Sequence, residues 1–282
     1  MIFTDKHWVI RNRQFIWGDR TYLMGILNVT PDSFSDGGQF NSRDAALKQV
    51  EQIFPYIDML DIGGESTKPN AQPVSAQEEG DRLLPIVQAI RETYPNLPIS
   101  VDTVKASVAK MAIAAGADMV NDVSAGRFDP DMLPLVGKLQ VPIFLMHMQG
   151  APRTMQLNPH YRDVIQDIQQ FLNDAISVAK ACGISQNLIA IDPGIGFGKT
   201  LEHNLKILKN LSTLKTIKAP LLLGVSRKSF IGKLCDRPDP SDRLFGTIAA
   251  CSACIAGGAD ILRVHDPKQV SESCRVSDAI FR

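Results

Sequence analysis

Asp102, Asn121, Asp192, Lys228, Arg263 and His265 are of the types that recognise a flat polar ring and a phosphate, and each stands at or just beyond the end of a short apolar run. A carboxylate accepts two adjacent N–H donors side by side, so Asp102 and Asp192 suit a ligand edge that carries such a pair. Asn121 adds a donor and an acceptor, which completes a recognition set for a heterocycle. Lys228, Arg263 and His265, with Arg227 adjacent, form a basic group in which Arg offers a planar fork to phosphate oxygens and Lys a point charge. Asn28 is a neutral oxygen donor that, beside a pyrophosphate, can help to hold Mg2+, an ion that takes few protein ligands. Each reading has a structural alternative. Asp102 is also a fitting N-cap for a helix beginning near Val104. Arg263 and His265 can pair with Asp260 or Asp266, and Asn28 can satisfy backbone groups before a turn.

Eight apolar runs must position these residues. Residues 22–27 lead into Asn28, 57–60 into Asp61, 98–101 into Asp102, 117–120 into Asn121, and 141–146 into His147. Then 188–191 lead into Asp192, 220–225 into Ser226-Arg227-Lys228, and 261–262 into Arg263 with His265 just after. The runs are too short for helices and have the aliphatic content of strands buried on both faces. Helical patterns fill most of the gaps, so the spacing predicts an α/β fold, a (β/α)8 TIM barrel with its site where the strands end. Residues 8–17 read as an N-terminal β-hairpin closing the barrel bottom. No linker divides the chain, which reads as a single domain over 1–282.

Helix punctuation supports the barrel. Ser75 and Glu78 have capping-box spacing. Val164, Ile168, Phe171, Leu172, Ala175 and Ala179 form an apolar stripe that stops at Gly183. Ser241 is the expected N-cap of a helix running to Ile255, whose small residues would let a second helix approach closely, a hint of a dimer contact. Two rim connections, 30–41 and 63–73, are long and polar, as mobile lids and binding loops are.

Several chemistries are excluded. Lys+Arg and Asp+Glu number 30 each, so the net charge is zero and a nucleic-acid partner is not expected. Residues 1–20 lack the apolar core of a signal peptide, and no stretch is long enough to span a bilayer. Five cysteines form no even framework, which suits reduced thiols and a cytoplasmic location. Cys251-x-x-Cys254 lies in an alanine-rich helical pattern and reads as core. The run from Gly194 to Thr200 misses the P-loop pattern because Pro193 stands where glycine is needed. It reads instead as a tight strand-to-helix turn that brings backbone close to a ligand, with Phe197 packing nearby. His147, His160, His203 and His265 lack zinc-ligand spacing.

Met24-Gly-Ile-Leu-Asn-Val-Thr-Pro-Asp-Ser-Phe-Ser-Asp-Gly-Gly38 resembles the opening signature of the dihydropteroate synthase family. Asp61-Ile-Gly-Gly-Glu-Ser-Thr67, Ser100-Val-Asp-Thr103, Asn121-Asp122 and Met146-His-Met-Gln-Gly150 resemble its next blocks in order. So do Asp192-Pro-Gly-Ile-Gly-Phe-Gly-Lys199, Ser226-Arg-Lys-Ser229 and Arg263-Val-His-Asp266. The resemblance implies a transferase of folate biosynthesis and the target class of sulfonamides. It would join 6-hydroxymethyl-7,8-dihydropterin pyrophosphate to p-aminobenzoate with Mg2+ as cofactor.

By the same resemblance, Asp102, Asn121, Val123, Met146, Asp192, Phe197 and Lys228 would hold the pterin. Arg263 would lie against the pterin face and reach the pyrophosphate with His265 and Asn28, the last also touching the metal. Phe34, Thr67, Lys68, Pro69 and Ser229 would form the p-aminobenzoate pocket, and Asp36 would join Asn28, Lys228, Arg263 and His265 in catalysis. The sequence departs from the family at Lys68 and Asn70, where Arg and Gly are usual. Lys keeps the charge but loses the fork, so a weaker closure over pyrophosphate is expected. Two rivals remain: a methyltransferase barrel that binds methyltetrahydrofolate, and a non-catalytic paralogue.

Overall fold

A computed structural model of the chain describes residues 2–4, 6–29, 39–65 and 72–282. Three short strands open it: β1 (Ile2–Phe3), β2 (His7–Ile10) and β3 (Arg13–Ile16), an antiparallel sheet in the order β1-β2-β3. Eight parallel strands follow. They are β4 (Tyr22–Asn28), β5 (Met59–Gly63), β6 (Ile99–Asp102), β7 (Met119–Asp122), β8 (Ile143–Met146), β9 (Ile189–Asp192), β10 (Leu222–Leu223) and β11 (Ile261–Val264). Their order is β10-β11-β4-β5-β6-β7-β8-β9, and a parallel bridge from Ile191 to Leu221 joins the two ends. The result is a (β/α)8 TIM barrel, as the run pattern predicts.

The helices are α1 (Gln39–Ile53), α2 (Ala76–Thr93), α3 (Ala106–Ala114), α4 (Met132–Leu139), α5 (Val164–Ala181), α6 (Leu201–Lys209), α7 (Leu211–Leu214), α8 (Ser229–Cys235), α9 (Leu244–Ala256) and α10 (Pro267–Phe281). Ser75 caps α2 by accepting from Glu78 N, but the Glu78 side chain pairs with Arg82. The stripe on α5 faces the barrel, with Val164, Ile165, Ile168, Leu172, Ile176 and Ala179 buried. Gly183 follows that helix at φ +88°, the left-handed position that ends it. Ser241 is not an N-cap of α9. It sits in a 3-10 turn (Pro240–Arg243) whose cap is Asp239, which accepts from Ser241 N. The small residues of α9 face α10 of the same chain in part, where Ser252 contacts Ser273 and Ser277.

Side chains alternate across a strand, and that alternation organises the barrel. Leu23, Leu60, Ile62, Ile99, Val101, Val120, Ile143, Leu145, Ile189 and Ile191 point outward, into the core under the helices. The residues between them point inward. At the bottom these are Tyr22, Met24, Met59, Met119, Phe144, Ala190, Leu222 and Ile261, sealed by Trp8, Ile10 and Phe15 of the hairpin. Trp8 meets Phe144 at 6.0 Å edge-on and donates its indole N–H to Asn187 O at 2.6 Å. The hairpin therefore closes the barrel bottom, as expected.

Aspartates also mark the strand starts, where they serve stability. Asp118 accepts from Ile99 N and pairs with Arg11 and Arg91, both at 2.6 Å. Asp58 accepts from Leu23 N and pairs with Arg20. Asp260 accepts from Leu221 N and pairs with Lys215 at 2.5 Å. These bottom carboxylates hold neighbouring strand ends together.

Candidate active site

Further along the strands, most of the inward positions become polar. Asn28 and Asp61 follow the inward line of Tyr22 and Met59; Asp102, Asn121, Met146, Asp192 and Arg263 follow that of Ser100, Met119, Phe144, Ala190 and Ile261. Parallel pairing levels these ends, with Asn28 opposite Gly63, Gly63 opposite Asp102 and Asp102 opposite Asn121.

Arg263 is the hub. Its Nε donates to Asp61 Oδ2 at 2.6 Å, and its Nη2 donates to Asp102 Oδ2 at 2.8 Å. Asn121 Nδ2 donates to the same Asp61 Oδ2 at 2.9 Å. Asp61 is wholly buried, and its Oδ1 has no hydrogen-bond partner among the described residues. Burial pushes the Asp102 carboxyl up to about 7, against the pull of the Arg263 guanidinium.

Across the mouth, Asp192 Oδ1 accepts from Gly194 N at 2.7 Å. Burial pushes its carboxyl up to about 6, opposed by that hydrogen bond and by Lys228, Lys199 and Arg263. Lys228 lies with its Nζ 4.1 Å from the centre of the Phe197 ring, a cation–π contact. Burial lowers its ammonium to about 8, opposed by Asp192. Val123, Met146, Met148 and Met155, with Val104 and Phe197 packed against them, make one apolar wall. Carboxylates, an amide and an apolar wall around a small mouth suit a flat ring with N–H donors on its edge.

A cleft of about 250 Å³ opens beside this mouth, lined by Ile26, Asn28, Gln49, Arg227 and His265. Ser226 Oγ lies 3.1 Å from His265 Nδ1 and accepts from His265 N at 3.2 Å. Arg227 holds Asp266 through Nε at 2.9 Å and Nη2 at 2.5 Å, with its own backbone at φ +59°. That strained turn ends at Lys228, which precedes Ser229, the exposed first residue of α8.

The structural alternatives for these residues do not form. Asp102 caps no helix, since α3 begins at Ala106, whose N–H goes to Asp129 Oδ2 at 2.7 Å. Arg263 does not pair with Asp260 or Asp266, which belong to Lys215 and Arg227. Arg263 lies between the Asp61 and Asp102 carboxylates.

The glycine turn packs closely against its neighbours. A Cβ on Gly194 would fall 1.9 Å from His147 O, and one on Gly198 would fall 2.6 Å from Gln149 O. The backbone there approaches the neighbouring connection, 147–163. That connection is a third long rim segment. It is tied down by Gln156 Nε2 donating to Gly196 O at 2.5 Å and Tyr161 OH donating to Gly198 O at 2.7 Å. Phe34, Asp36, Thr67, Lys68, Pro69 and Asn70 lie outside the described residues.

Asp61 as a partner for Arg263 is not evident from the motifs, and inward parity with Met59 is the signal that finds it. Nor is the place of Lys199, which is buried against His147. A third such residue is Lys105, which joins Glu65 at 2.6 Å and Glu79 at 2.5 Å under the rim.

Fold and rim together define a barrel enzyme of the pterin-binding class: the family described as Pterin binding enzyme matches residues 24–265. The dihydropteroate synthase of Synechocystis sp. is 49% identical, covering 95% of this chain and 93% of its own. A Yersinia pestis dihydropteroate synthase solved with a sulfonamide drug superposes with a TM-score of 0.91 at 42% identity, covering 97% of this chain and 98% of its own. The Xanthomonas albilineans synthase in complex with 7,8-dihydropteroate gives 0.84 at 40% identity, covering 93% and 94%. The chain belongs to the dihydropteroate synthase family.

Proposed function

We infer that the chain condenses 6-hydroxymethyl-7,8-dihydropterin pyrophosphate with p-aminobenzoate to give 7,8-dihydropteroate and pyrophosphate, a transferase step in folate biosynthesis. The observation that carries the reading on this chain is the juxtaposition of two features. A mouth lined by Asp102, Asn121, Asp192 and Lys228 adjoins a polar cleft lined by Asn28, Gln49, Arg227 and His265. In this reading Asp102, Asn121 and Asp192 hold the pterin edge, Lys228 supports it, and Val123, Met146 and Phe197 pack its faces. Arg263 and His265 take up the charge of the departing pyrophosphate. Phe34, Thr67, Lys68, Pro69 and Ser229 form the p-aminobenzoate side, and Asp36 joins the catalytic set. The cleft and the charge around it favour pyrophosphate displacement over methyl transfer.

Mg2+ belongs to the proposal. Among the described residues no cluster of three or more His, Cys, Asp or Glu could hold a metal. Asn28 lines the cleft and offers a hard amide oxygen, which fits an ion held mostly by substrate oxygens and water. When bound, the ion would neutralise charge on the leaving pyrophosphate.

The aryl amine of p-aminobenzoate is neutral at pH 7 and needs no strong base. The electron-rich dihydropterin can stabilise positive charge at its methylene, so the C–O bond to pyrophosphate breaks ahead of C–N bond formation. Positioning and electrostatics then supply most of the rate. Isotope effects at the methylene test this: substantial C–N bonding in the transition state would sink the dissociative order. Phe34→Leu is expected to raise KM for p-aminobenzoate and leave that for the pterin unchanged. The opposite pattern would overturn the pocket assignment.

The same reading includes a homodimer and a cytoplasmic location. Val276, Ile280 and Phe281 are exposed apolar residues close together on α10, and Phe245 on α9 is 84% exposed, which supports apolar contact with a second copy. All five cysteines are free, as in a reducing compartment. No described helix is long and apolar enough to cross a membrane. Sedimentation at a monomer mass would remove the dimer, and recovery in a membrane or secreted fraction would remove the location.

A further inference from the structure

Lys199 is 3% exposed and lies behind the pterin mouth. A buried ammonium is costly unless its donors are met and its charge is answered. Its Nζ is 2.9 Å from His147 Nδ1 and donates to Phe197 O at 2.9 Å. Burial and the adjacent Lys199 lower the His147 imidazole to about 2, so the ring is neutral and can accept at Nδ1. His147 in turn donates its backbone N–H to Asp192 O at 2.9 Å, and its carbonyl is the atom on which Gly194 closes. One amine thus clamps the end of β8 to the turn after β9. That turn carries Asp192 at one end and Phe197, the ring under Lys228, at the other.

We propose that Lys199 is a positioning residue for the pterin half of the site, its ammonium braced by His147 so that Phe197 is fixed beneath Lys228 and a positive charge stands behind Asp192. The inference rests on the assignment of Asp192, Phe197 and Lys228 to the pterin. Asp192 faces Lys199 from its own turn, Lys228 from the segment before α8, Arg263 from β11 and the Cys254 thiol from α9. Of these, Lys199 is the cation that neither reads the pterin nor meets the pyrophosphate in the proposed mechanism. Its charge favours the Asp192 anion. Burial lowers the Lys199 ammonium itself to about 7, opposed by Asp192, so the pair coexists in charged form between about 6 and about 7.

The test compares the unmodified chain with Lys199→Met, Lys199→Gln and Lys199→Arg. Titration with 6-hydroxymethyl-7,8-dihydropterin gives Kd, and the pH profile of kcat/KM for the pyrophosphate substrate gives the acid limb. Lys199→Met is expected to weaken dihydropterin binding roughly tenfold or more and to move the acid limb upward, with KM for p-aminobenzoate unchanged. Lys199→Gln, which can still donate to His147 and Phe197 O, should keep most of the affinity yet show the same displaced limb. Lys199→Arg should return the limb toward its original place. If Lys199→Met fails to fold, the Gln variant alone decides on the limb. Variants that fold, bind dihydropterin as the unmodified chain does and keep the limb in place would overturn the inference. An unmodified chain that bound no dihydropterin would overturn the site assignment as well, which separates the two failures.

Discussion

The Arg263 guanidinium bridges the Asp61 and Asp102 carboxylates, with Nη2 donating to Asp102 Oδ2 at 2.8 Å. It therefore already engages the Asp102 carboxyl that is proposed to read the pterin edge. In the proposed reading, binding in this mouth would be an exchange, with the ring's N–H donors taking over Asp102 from part of the guanidinium. Asn121 stays on Asp61 at 2.9 Å and keeps that second carboxylate answered during the exchange.

Arg263→Met should therefore do more than remove a phosphate contact. It leaves Asp61 and Asp102 buried without their shared cation, and the Asp102 carboxyl, already up to about 7 through burial, rises further. Loss of one close opposite charge is worth roughly 1–3 pH units. The acid limb of kcat/KM should move up accordingly, and the rate at neutral pH should fall by at least about 10²-fold. A lower rate with an unmoved limb would confine Arg263 to the leaving group.

The unmodified chain should show a bell-shaped profile. Raising pH ionises Asp192 near 6 and Asp102 near 7, converting both into pure acceptors for the pterin donors, so kcat/KM climbs through that window. Above about 8 Lys228 loses its proton and the pterin side loses a cation, so kcat/KM declines. A profile flat from pH 5 to 9 would contradict this assignment.

Asp102→Asn keeps the shape and removes the charge. A site built to hydrogen-bond its substrate discriminates by roughly 10⁴–10⁵, so pterin binding should drop steeply in a calorimetric titration. Unchanged affinity would make Asp102 a partner of Arg263 alone.

Lys105→Met tests the stability of the rim rather than its chemistry. Glu79 is fully buried, with Lys105 at 2.5 Å, while Glu65 accepts from Lys105 and also from Val74 N at 3.1 Å. Removing the shared cation leaves two carboxylates facing each other, at a cost of about 3 kcal/mol. Thermal unfolding should show a Tm lower by several degrees, and an unchanged Tm would contradict the burial argument.

Gly194→Ala should be worse tolerated than an ordinary turn substitution. Its φ is +68° and the added Cβ would sit 1.9 Å from the His147 carbonyl oxygen, so the turn or the β8 end must move. Reduced pterin affinity together with lower stability is expected, and wild-type behaviour in both would refute the packing role given to this glycine.

The barrel was legible in the sequence because eight short apolar runs stop at polar residues, and the hairpin because Trp8, Phe15 and Trp17 flank a tight polar turn. Ends of strands were less exact. β5 continues through Asp61 to Gly63, so Asp61 reads as a strand terminus when it is an interior position sharing parity with Met59. Parity was available in the sequence but decides nothing until the inward face is known, since a strand buried on both sides shows no polar alternation. Lys199 was hidden for another reason. Its partners His147 and Phe197 O meet only when two connections fold against each other, and no local spacing encodes that contact. The Ser241 cap failed because Asp239, two residues earlier, starts a 3-10 turn before the helix.

The most direct test of the account is pyrophosphate release from 6-hydroxymethyl-7,8-dihydropterin pyrophosphate in the presence of Mg2+, measured with and without p-aminobenzoate. Release is expected to match dihydropteroate formation one for one and to be lost when Mg2+ is withdrawn. A chain that binds the dihydropterin tightly but releases no pyrophosphate with both substrates and Mg2+ present would contradict it.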